Sequence, residues 1–395
     1  MALFGCDKRD FGQTAGAPEF RYWRVDIQDA LRRVETAERA RKGFDNRYRY
    51  LIMPAEPSRP TRIVRGSCLV AVSAEQRLTT RTSPNMNRLP VPRSQSIEKS
   101  WSNLDWPSVF AAIIYPLLGV VGVTGAILAG LLVDSLAFSW WFIPAAMAVG
   151  AMTLVICNLG IGVLHRIWQH KAGELKWPAQ VLTIVHCLVA MQGQLKDWVN
   201  YHSQHHRLSD KPGDPHNPHE SKFWAWIGWL LWRDENDLKR PLAMWLRDIP
   251  GVRFVDRHYS LMSLVIHLLI PAAIYAVVAL AGGSLLLTFL LHASAVTARG
   301  VQFHATTLGV NVVGHLKAPA WLNWLLALLT GGEAIHGHHH DYPSSALHLP
   351  RKGLINRLVD YNGTALLLFE KLKWAKNLQI APMFAEPARV KARAE

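Results

Sequence analysis

The chain is short of paired cysteine, and over long stretches it has no charge at all. Its four cysteines, Cys6, Cys68, Cys157 and Cys187, are scattered through 395 residues with no CxxC pair. That spacing excludes a disulfide framework and a thiolate zinc site, and it fits a reducing compartment. From Pro107 to Leu164 the only charged residue is Asp134, and from Ser260 to Ala298 there is none. Uncharged apolar runs of about 18 residues or more read as membrane spans, which excludes an ordinary soluble domain. The first 100 residues contain no apolar h-region, so no cleavable signal peptide is expected. Histidine is missing from the first 164 residues, and all 18 histidines fall between His165 and His348.

The formal net charge of +14 is divided along the chain. Residues 1–100 carry 16 Arg and 3 Lys against 11 Asp+Glu, a net +8, and the remainder carries +6. The first 100 residues read as a loosely structured, basic extension with one short charged helix, Asp26 to Arg41. Their acidic residues argue against a transit peptide. Met86, just ahead of the membrane part, is a second candidate start. A basic arm suits anionic lipid or nucleic acid. Because the excess is split between this arm and loops flanking the membrane, no nucleic-acid partner is expected.

Four spans are expected, at residues 109–133, 140–164, 261–281 and 284–306. The first two have 25 residues each, about 37 Å of helix against a hydrocarbon core of roughly 30 Å. Gly282 and Gly283 break the third from the fourth, which continues past Arg299, a guanidinium placed to snorkel or to face protein. The short links between paired spans contain no Lys or Arg. The segment from His165 to His258 holds 13, and the part from Arg299 onward holds 11. By the positive-inside rule both termini and every large polar segment are cytoplasmic, and the spans form two hairpins. FWAWIGWLLW (Phe223 to Trp232) and WLNWLLALL (Trp321 to Leu329) are too short to cross and read as interfacial helices. Pro178 to Leu195 reads as a buried or interfacial helix. A fifth span there would put the later histidines on the opposite side.

Three histidine clusters lie on the common side: HRIWQH with His165 and His170, HSQHH with His202, His205 and His206, and HGHHH with His336, His338, His339 and His340. On a helix, offsets of three and four share a face. His202, His205 and His206 can therefore present three imidazoles together, as can His336, His339 and His340. His165 and His170, five apart, are separated by about 140° on a regular helix and are free to straddle two metals. Neutral imidazole is a ligand for Fe, Cu, Ni and Zn, and this many positioned rings exceeds one ordinary site, so two metals are the economical reading. The isolated His186, His216, His219, His258, His267, His292, His304 and His348 read as hydrogen-bonded core or interface residues.

At these clusters the sequence resembles the membrane-bound fatty acyl desaturases, specifically the acyl-CoA delta-9 type. The family's boxes HxxxxH, HxxHH and HxxHH are similar to HRIWQH, HSQHH and HGHHH here. The flanks GIGVLHR, QGQLKDWVNYHSQHHRLSDKPGDPHNP and GGEAIHGHHHDYP match as well, and the family's NxxxH element is similar to Asn311 and His315 in GVNVVGH. The resemblance runs over about residues 105–378. It implies a desaturase domain over 101–378 between the basic extension 1–100 and a tail 379–395. The implied fold is an all-α membrane protein: four transmembrane helices in two hairpins, with a cytoplasmic helical cap holding a histidine-ligated di-metal site.

By the same resemblance the centre is a non-haem di-iron site. Its ligands would be His165, His170, His202, His205, His206, His315, His336, His339 and His340, with Asn311 holding a water on one iron. No catalytic group separate from the metals is implied. O2 and two electrons from a separate donor, a ferredoxin or cytochrome b5 with its reductase, would place a cis double bond in a fatty acyl chain. Gln192, Trp198 and Thr307 would line the kink of the acyl tunnel. Glu333, Asp210 and Asp341 are candidate acceptors for ligand N–H groups. In box two Ser203 stands where acyl-CoA members carry Arg, which leaves acyl-CoA, acyl-lipid and acyl carrier protein open as carriers. A hydroxylase on the same scaffold starts from the same hydrogen abstraction and is the alternative. A non-enzymatic metal-binding protein is a weaker one, since His267 and His292 are the only ionisable groups in the two uncharged spans' cores.

Overall fold

The computed structural model describes residues 92–234 and 241–384. The helix expected at Asp26–Arg41 and the start at Met86 lie outside the described residues. The described residues belong to one compact unit.

Among the described residues, four helices are long and apolar enough to cross a membrane: α1 (Trp106–Leu132), α2 (Phe142–Gln169), and, further along, Tyr259–Leu280 and Leu285–Val313. Between them, in chain order, lie α3 (Trp177–Ala190), α4 (Leu195–Leu208) and α5 (Pro250–Arg257). The third and fourth spans are then α6 (Tyr259–Leu280) and α7 (Leu285–Val313). They are followed by α8 (Ala320–Leu329), α9 (His336–Asp341) and α10 (Tyr361–Lys371). Among the described residues, one antiparallel pair of two-residue strands, Glu174–Leu175 with Ala375–Lys376, ties residues near their end to the segment after α2.

The four spans are those the uncharged runs mark, but two of them run on well past their expected ends. α2 runs on to Gln169, through His165, and α7 runs on to Val313, past Arg299 and through Asn311. The charge at Arg299 does not end α7, because its side chain is 2% exposed and both terminal guanidinium nitrogens donate to backbone carbonyls inside the protein. α1 packs on α7 through a seam of small residues, Gly119, Gly122, Ala126 and Gly130, all buried. Small residues let two membrane helices approach closely. At Gly119 a Cβ would lie 2.7 Å from the Thr297 backbone nitrogen, so only glycine fits there. Outward-facing Leu117, Val121, Leu132, Leu268 and Val277 form the apolar surface that hydrocarbon would cover.

α3 and α8 each bury one face. α3 turns Ala179, Thr183, Ile184 and Leu188 inward and leaves Trp177 and Val181 outside. α8 buries Leu326 and Ala327 and exposes Trp321 and Trp324. The segment from Phe223 to Trp232 is not the surface-lying helix expected of it. It is a π-turn, Trp224–Gly228, with a short continuation, and Trp224, Ile227 and Leu231 are buried. Residues 92–104 cover it: Leu104 bridges Trp232, Lys99 stands 5.8 Å over the Trp224 ring, and Arg93 pairs with Asp234 at 3.1 Å. The last residues assigned to the loose arm thus pack as part of the helical body. So do residues 379–384, where Gln379 N donates to Ala172 O at 2.7 Å.

Candidate metal centre

Each of the nine expected ligands sits at a helix end that gathers on one side of the molecule. His165 lies in a π-helical turn, Leu164–Gln169, that closes α2, and His170 N donates to His165 O at 3.1 Å. An i→i+5 hydrogen bond widens the turn and brings residues five apart onto one face. The regular-helix offset is thereby cancelled. His165 and His170 do not straddle two sites: their ring centroids are 5.0 Å apart and both face the same group. A second π-turn, Gly309–Val313, ends α7 and carries Asn311, with His315 just beyond it.

The nine imidazoles assemble into two groups. His165, His170, His202, His206 and His339 form one, His205, His315, His336 and His340 the other, and within each the ligand nitrogens lie within 4.8 Å of one another. Boxes two and three therefore each split. The i, i+4 pair of each box, His202/His206 and His336/His340, enters one group, and the middle residue, His205 or His339, enters the other. Neighbouring Nε2 atoms are 3.0 Å apart for His165–His202, 3.1 Å for His165–His339, 2.9 Å for His170–His202 and 3.0 Å for His206–His339. In the second group His336–His340 is 2.9 Å and His205–His340 is 3.2 Å.

The donor set fits a metal. Two imidazole nitrogens about 2.1 Å from a common cation and at right angles to each other are about 3 Å apart. The opposite ring nitrogens are engaged by carboxylates: His165 Nδ1 with Glu333 (2.6 Å), His205 Nδ1 with Asp214 (3.0 Å) and His315 Nδ1 with Asp210 (3.0 Å). A proton held at Nδ1 leaves the Nε2 lone pair facing inward, which fixes tautomer and ring orientation. His315 Nε2 is buried without a hydrogen-bond partner, as a ligand atom awaiting a cation would be. Asn311 is buried, its Nδ2 donating to Ala225 O at 3.1 Å. The extra histidine of box three, His338, joins neither group and packs on Phe384 and Tyr342.

Of the three expected acceptors, Glu333 and Asp210 meet ligands. Asp341 is exposed and bonds none of the nine among the described residues, and Asp214 takes the third place. Asp214 lies in the quoted flank of box two, nine residues from His205. Its carboxylate also accepts from the Asp210 and His216 backbone nitrogens. Burial pushes its carboxyl up to about 7, while burial and neighbouring imidazoles hold His205 well below its ordinary range. The pair is a hydrogen bond between a neutral ring and a carboxyl group.

A further layer was not legible. Arg166, fully buried inside box one, donates to Glu333 (3.0 Å), Asp360 (2.8 Å) and the Ala346 carbonyl (2.9 Å). Asn362 Nδ2 donates to Glu333 at 2.9 Å, and Asp360 caps α10. Gly162, one turn before His165, lies so close to Asn362 that a Cβ there would clash with it and stand 2.8 Å from Glu333 Oε1. Of the isolated histidines, His348 and His216 pack behind the ligands: the His216 ring is 4.3 Å from that of His205, and His348 Nδ1 meets Gly332 O at 3.1 Å.

Of the three residues expected at a tunnel, Trp198 stacks on His202 at 5.0 Å and 22°. Gln192 Nε2 donates to Gln302 Oε1 at 3.2 Å, and the buried Thr307 hydroxyl donates to the Phe303 carbonyl at 3.1 Å.

Burial first, and then neighbouring rings, lower His170, His202, His206, His336 and His339 well below the ordinary imidazole range, and bring His340 and His216 to about 3. The folded protein refuses protons that the unfolded chain accepts from about pH 6.5 downward. Stability from these groups is full above that range and is lost as pH falls through it toward the lowered values. Melting temperature is expected to drop steeply between about pH 7 and pH 4.5, a window set by these shifts. A flat profile across it would contradict the clustering of neutral rings.

A model of the family described as fatty acid desaturase matches residues 138–354. The chain is 24% identical over 279 residues to an acyl-CoA Delta-9 desaturase of Acheta domesticus, covering 63% of this chain and 72% of that protein. It is 30% identical over 248 residues to the Delta-9 desaturase-like 2 protein of Arabidopsis thaliana, covering 60% and 77%. To the sn-1 stearoyl-lipid 9-desaturase of Synechocystis sp. it is 29% identical over 254 residues, covering 62% and 74%. The family match takes in more than half of the chain, from the start of α2 through all three histidine boxes, so this protein belongs to the fatty acid desaturase family and is an oxidoreductase acting on fatty acyl chains.

Proposed function

We propose that the protein is an integral membrane desaturase of delta-9 type that places a cis double bond in a fatty acyl chain, with O2 as oxidant. The observation that carries this reading is the pair of histidine groups, five nitrogens and four, each tight enough to bind one cation. Iron is the assignment. Imidazole suits several divalent metals, but zinc has no redox chemistry, and an O2-dependent oxidation requires it. One Fe would take His165, His170, His202, His206 and His339, and the other His205, His315, His336 and His340, with Asn311 holding a water on one of them. When bound, such a pair activates O2 for removal of hydrogen from an unactivated methylene pair. The balance needs two hydrogens from the chain, two electrons and two protons, and yields two waters.

The protein's own residues position and exclude. Glu333, Asp214 and Asp210 hold the Nδ1 protons of three ligands. Trp198, against His202, with Gln192 and Thr307, is assigned to the bend of an apolar passage. The Gln192 amide nitrogen and the Thr307 hydroxyl are held by protein acceptors. The positive-inside distribution supports a cytoplasmic site and cytoplasmic termini in the bilayer, an inner or plasma membrane in a bacterium. Electrons would come from a separate ferredoxin, or cytochrome b5 and its reductase.

Acyl-CoA is the first reading for the substrate, with acyl-lipid and acyl carrier protein as alternatives. Ser203 Oγ accepts from Gln169 Nε2 at 3.0 Å and supplies no cation for a phosphate-bearing headgroup. The test is expression of the full chain in a host lacking its own desaturase, followed by chromatography and double-bond mapping of total and carrier-separated acyl chains. A new cis monoene is expected. A hydroxyl at the same carbons would make the protein a hydroxylase, and unchanged acyl chains would overturn both readings.

A further inference from the structure

The spans enclose a second polar cluster, away from the histidines. Arg299 of α7 is 2% exposed and has no carboxylate partner among the described residues. Its guanidinium donates to Ala190 O at 3.3 Å and to Ala111 O, and lies 5.3 Å from the Tyr115 ring centroid. One side chain thus joins α1, α3 and α7. A cation so deep in a span is costly, and carbonyls at a helix C-terminus are a suitable partner for it.

Ala190 is the last residue of α3. Met191 follows in the left-handed conformation (φ 56°), and then Gln192, tethered to Gln302 three residues beyond Arg299. The same turn is held by His267 Nε2 on Leu188 O (3.0 Å) and by Gly193 N on the Tyr259 hydroxyl (3.0 Å). Toward the histidines, Ala190 packs in a small cluster with Cys157, Ile161 and Trp198, and Trp198 is the ring stacked on His202. On its other side the turn walls a narrow crevice lined by Ile184, Cys187, Leu188, Leu195, Val255 and Tyr259. A continuous chain of contacts therefore runs from the Arg299 guanidinium, through the turn and Trp198, to a ring of the first histidine group.

The geometry points to Arg299 as a positioning residue that sets the site of the double bond. By fixing the Ala190–Gly193 turn against α1 and α7, it fixes the wall past which an acyl chain must bend, and hence which carbons stand at the histidines. This rests on the desaturase reading. Lysine cannot replace it, because one ammonium cannot reach carbonyls on α1 and α3 while lying on the Tyr115 ring.

The test uses the full-length protein in the desaturase-deficient host, with Arg299→Lys and Arg299→Met, acyl chains of several lengths, double-bond mapping, and iron per protein by mass spectrometry. The wild type is expected to give one position. Both variants are expected to keep their iron and to divide the product among neighbouring positions. An unchanged single position overturns the proposal, and so does folded variant protein that lacks iron or makes no product. Gln302→Met, which cuts the Gln192 tether and leaves the buried charge alone, is expected to spread the positions too. If neither Arg299 variant folds, an unchanged position in Gln302→Met is decisive against it. Wild-type protein that forms no double bond would fail the desaturase reading, before any variant is compared.

Discussion

Alanine at His205 is expected to abolish product and to strip iron from the second histidine group. His205 is fully buried, its Nε2 is 3.2 Å from that of His340, and the His216, His315 and His336 rings surround it. Its loss leaves three nitrogens in a group that has four. It also removes one hydrogen bond from the buried Asp214, which keeps the Asp210 and His216 backbone nitrogens as donors, a loss of about 0.5–1.5 kcal/mol. The effect on activity is expected to be larger than one ligand in nine suggests, because the proposed reaction would need both metals together. His338→Ala is the control: that ring is next in sequence to His339, on the same helix, yet faces Tyr342 and Phe384. It should keep full iron and full product. Retained desaturation in His205→Ala would sink the di-iron assignment. Equal loss in His338→Ala would show that any change in α9 merely unfolds the cap.

How much of the fold and site is legible in the sequence depends on how local the signal is. Uncharged runs marked all four spans, since burial in hydrocarbon is paid for residue by residue. The histidine boxes mark eight of the nine rings, and His315 enters only through the NxxxH element that the family resemblance supplies. What spacing alone could not assign was the partition. His165 and His170 share a group only because α2 ends in a π-turn, and no propensity announces a π-turn. His205 and His339 leave their own boxes because three-residue and four-residue offsets diverge across a helix face wide enough to meet two centres. The segment from Trp224 to Leu231 looked like a surface helix because nothing in its composition says that residues 92–104 will fold over it. Asp360 and Asn362 were invisible for a different reason. They stand almost two hundred residues from Arg166 in sequence and carry no motif, and only the fold brings them behind box one.

That hidden layer makes Glu333 the second position of large expected effect. It is 3% exposed and accepts from four donor atoms: His165 Nδ1 at 2.6 Å, Arg166 Nε at 3.0 Å and Nη2 at 2.9 Å, and Asn362 Nδ2 at 2.9 Å. Burial pushes its carboxyl up, but Arg166 and the adjacent His348 and His165 outweigh that and hold it well below the usual carboxylate range. Glutamine keeps the shape and reverses half of the chemistry: it brings an NH2 that must face one of the existing donors. Arg166, fully buried, would then keep only Asp360 as a charged partner. Removing one member of a buried ion network costs about 3–5 kcal/mol, so Glu333→Gln is expected to lower unfolding stability by that order in the metal-free protein. Loss of an outer-layer partner typically weakens metal binding about 10–100-fold, which here should appear as earlier loss of iron to a competing chelator. The two readouts separate the roles. Glu333→Asp, which retains the charge but is shorter by one methylene, should recover more of the stability than of the metal retention, because Arg166 has reach to follow it and the His165 ring, fixed on α2, does not. Glu333→Gln with wild-type stability and wild-type iron retention would refute both the buried network and its role in aiming His165.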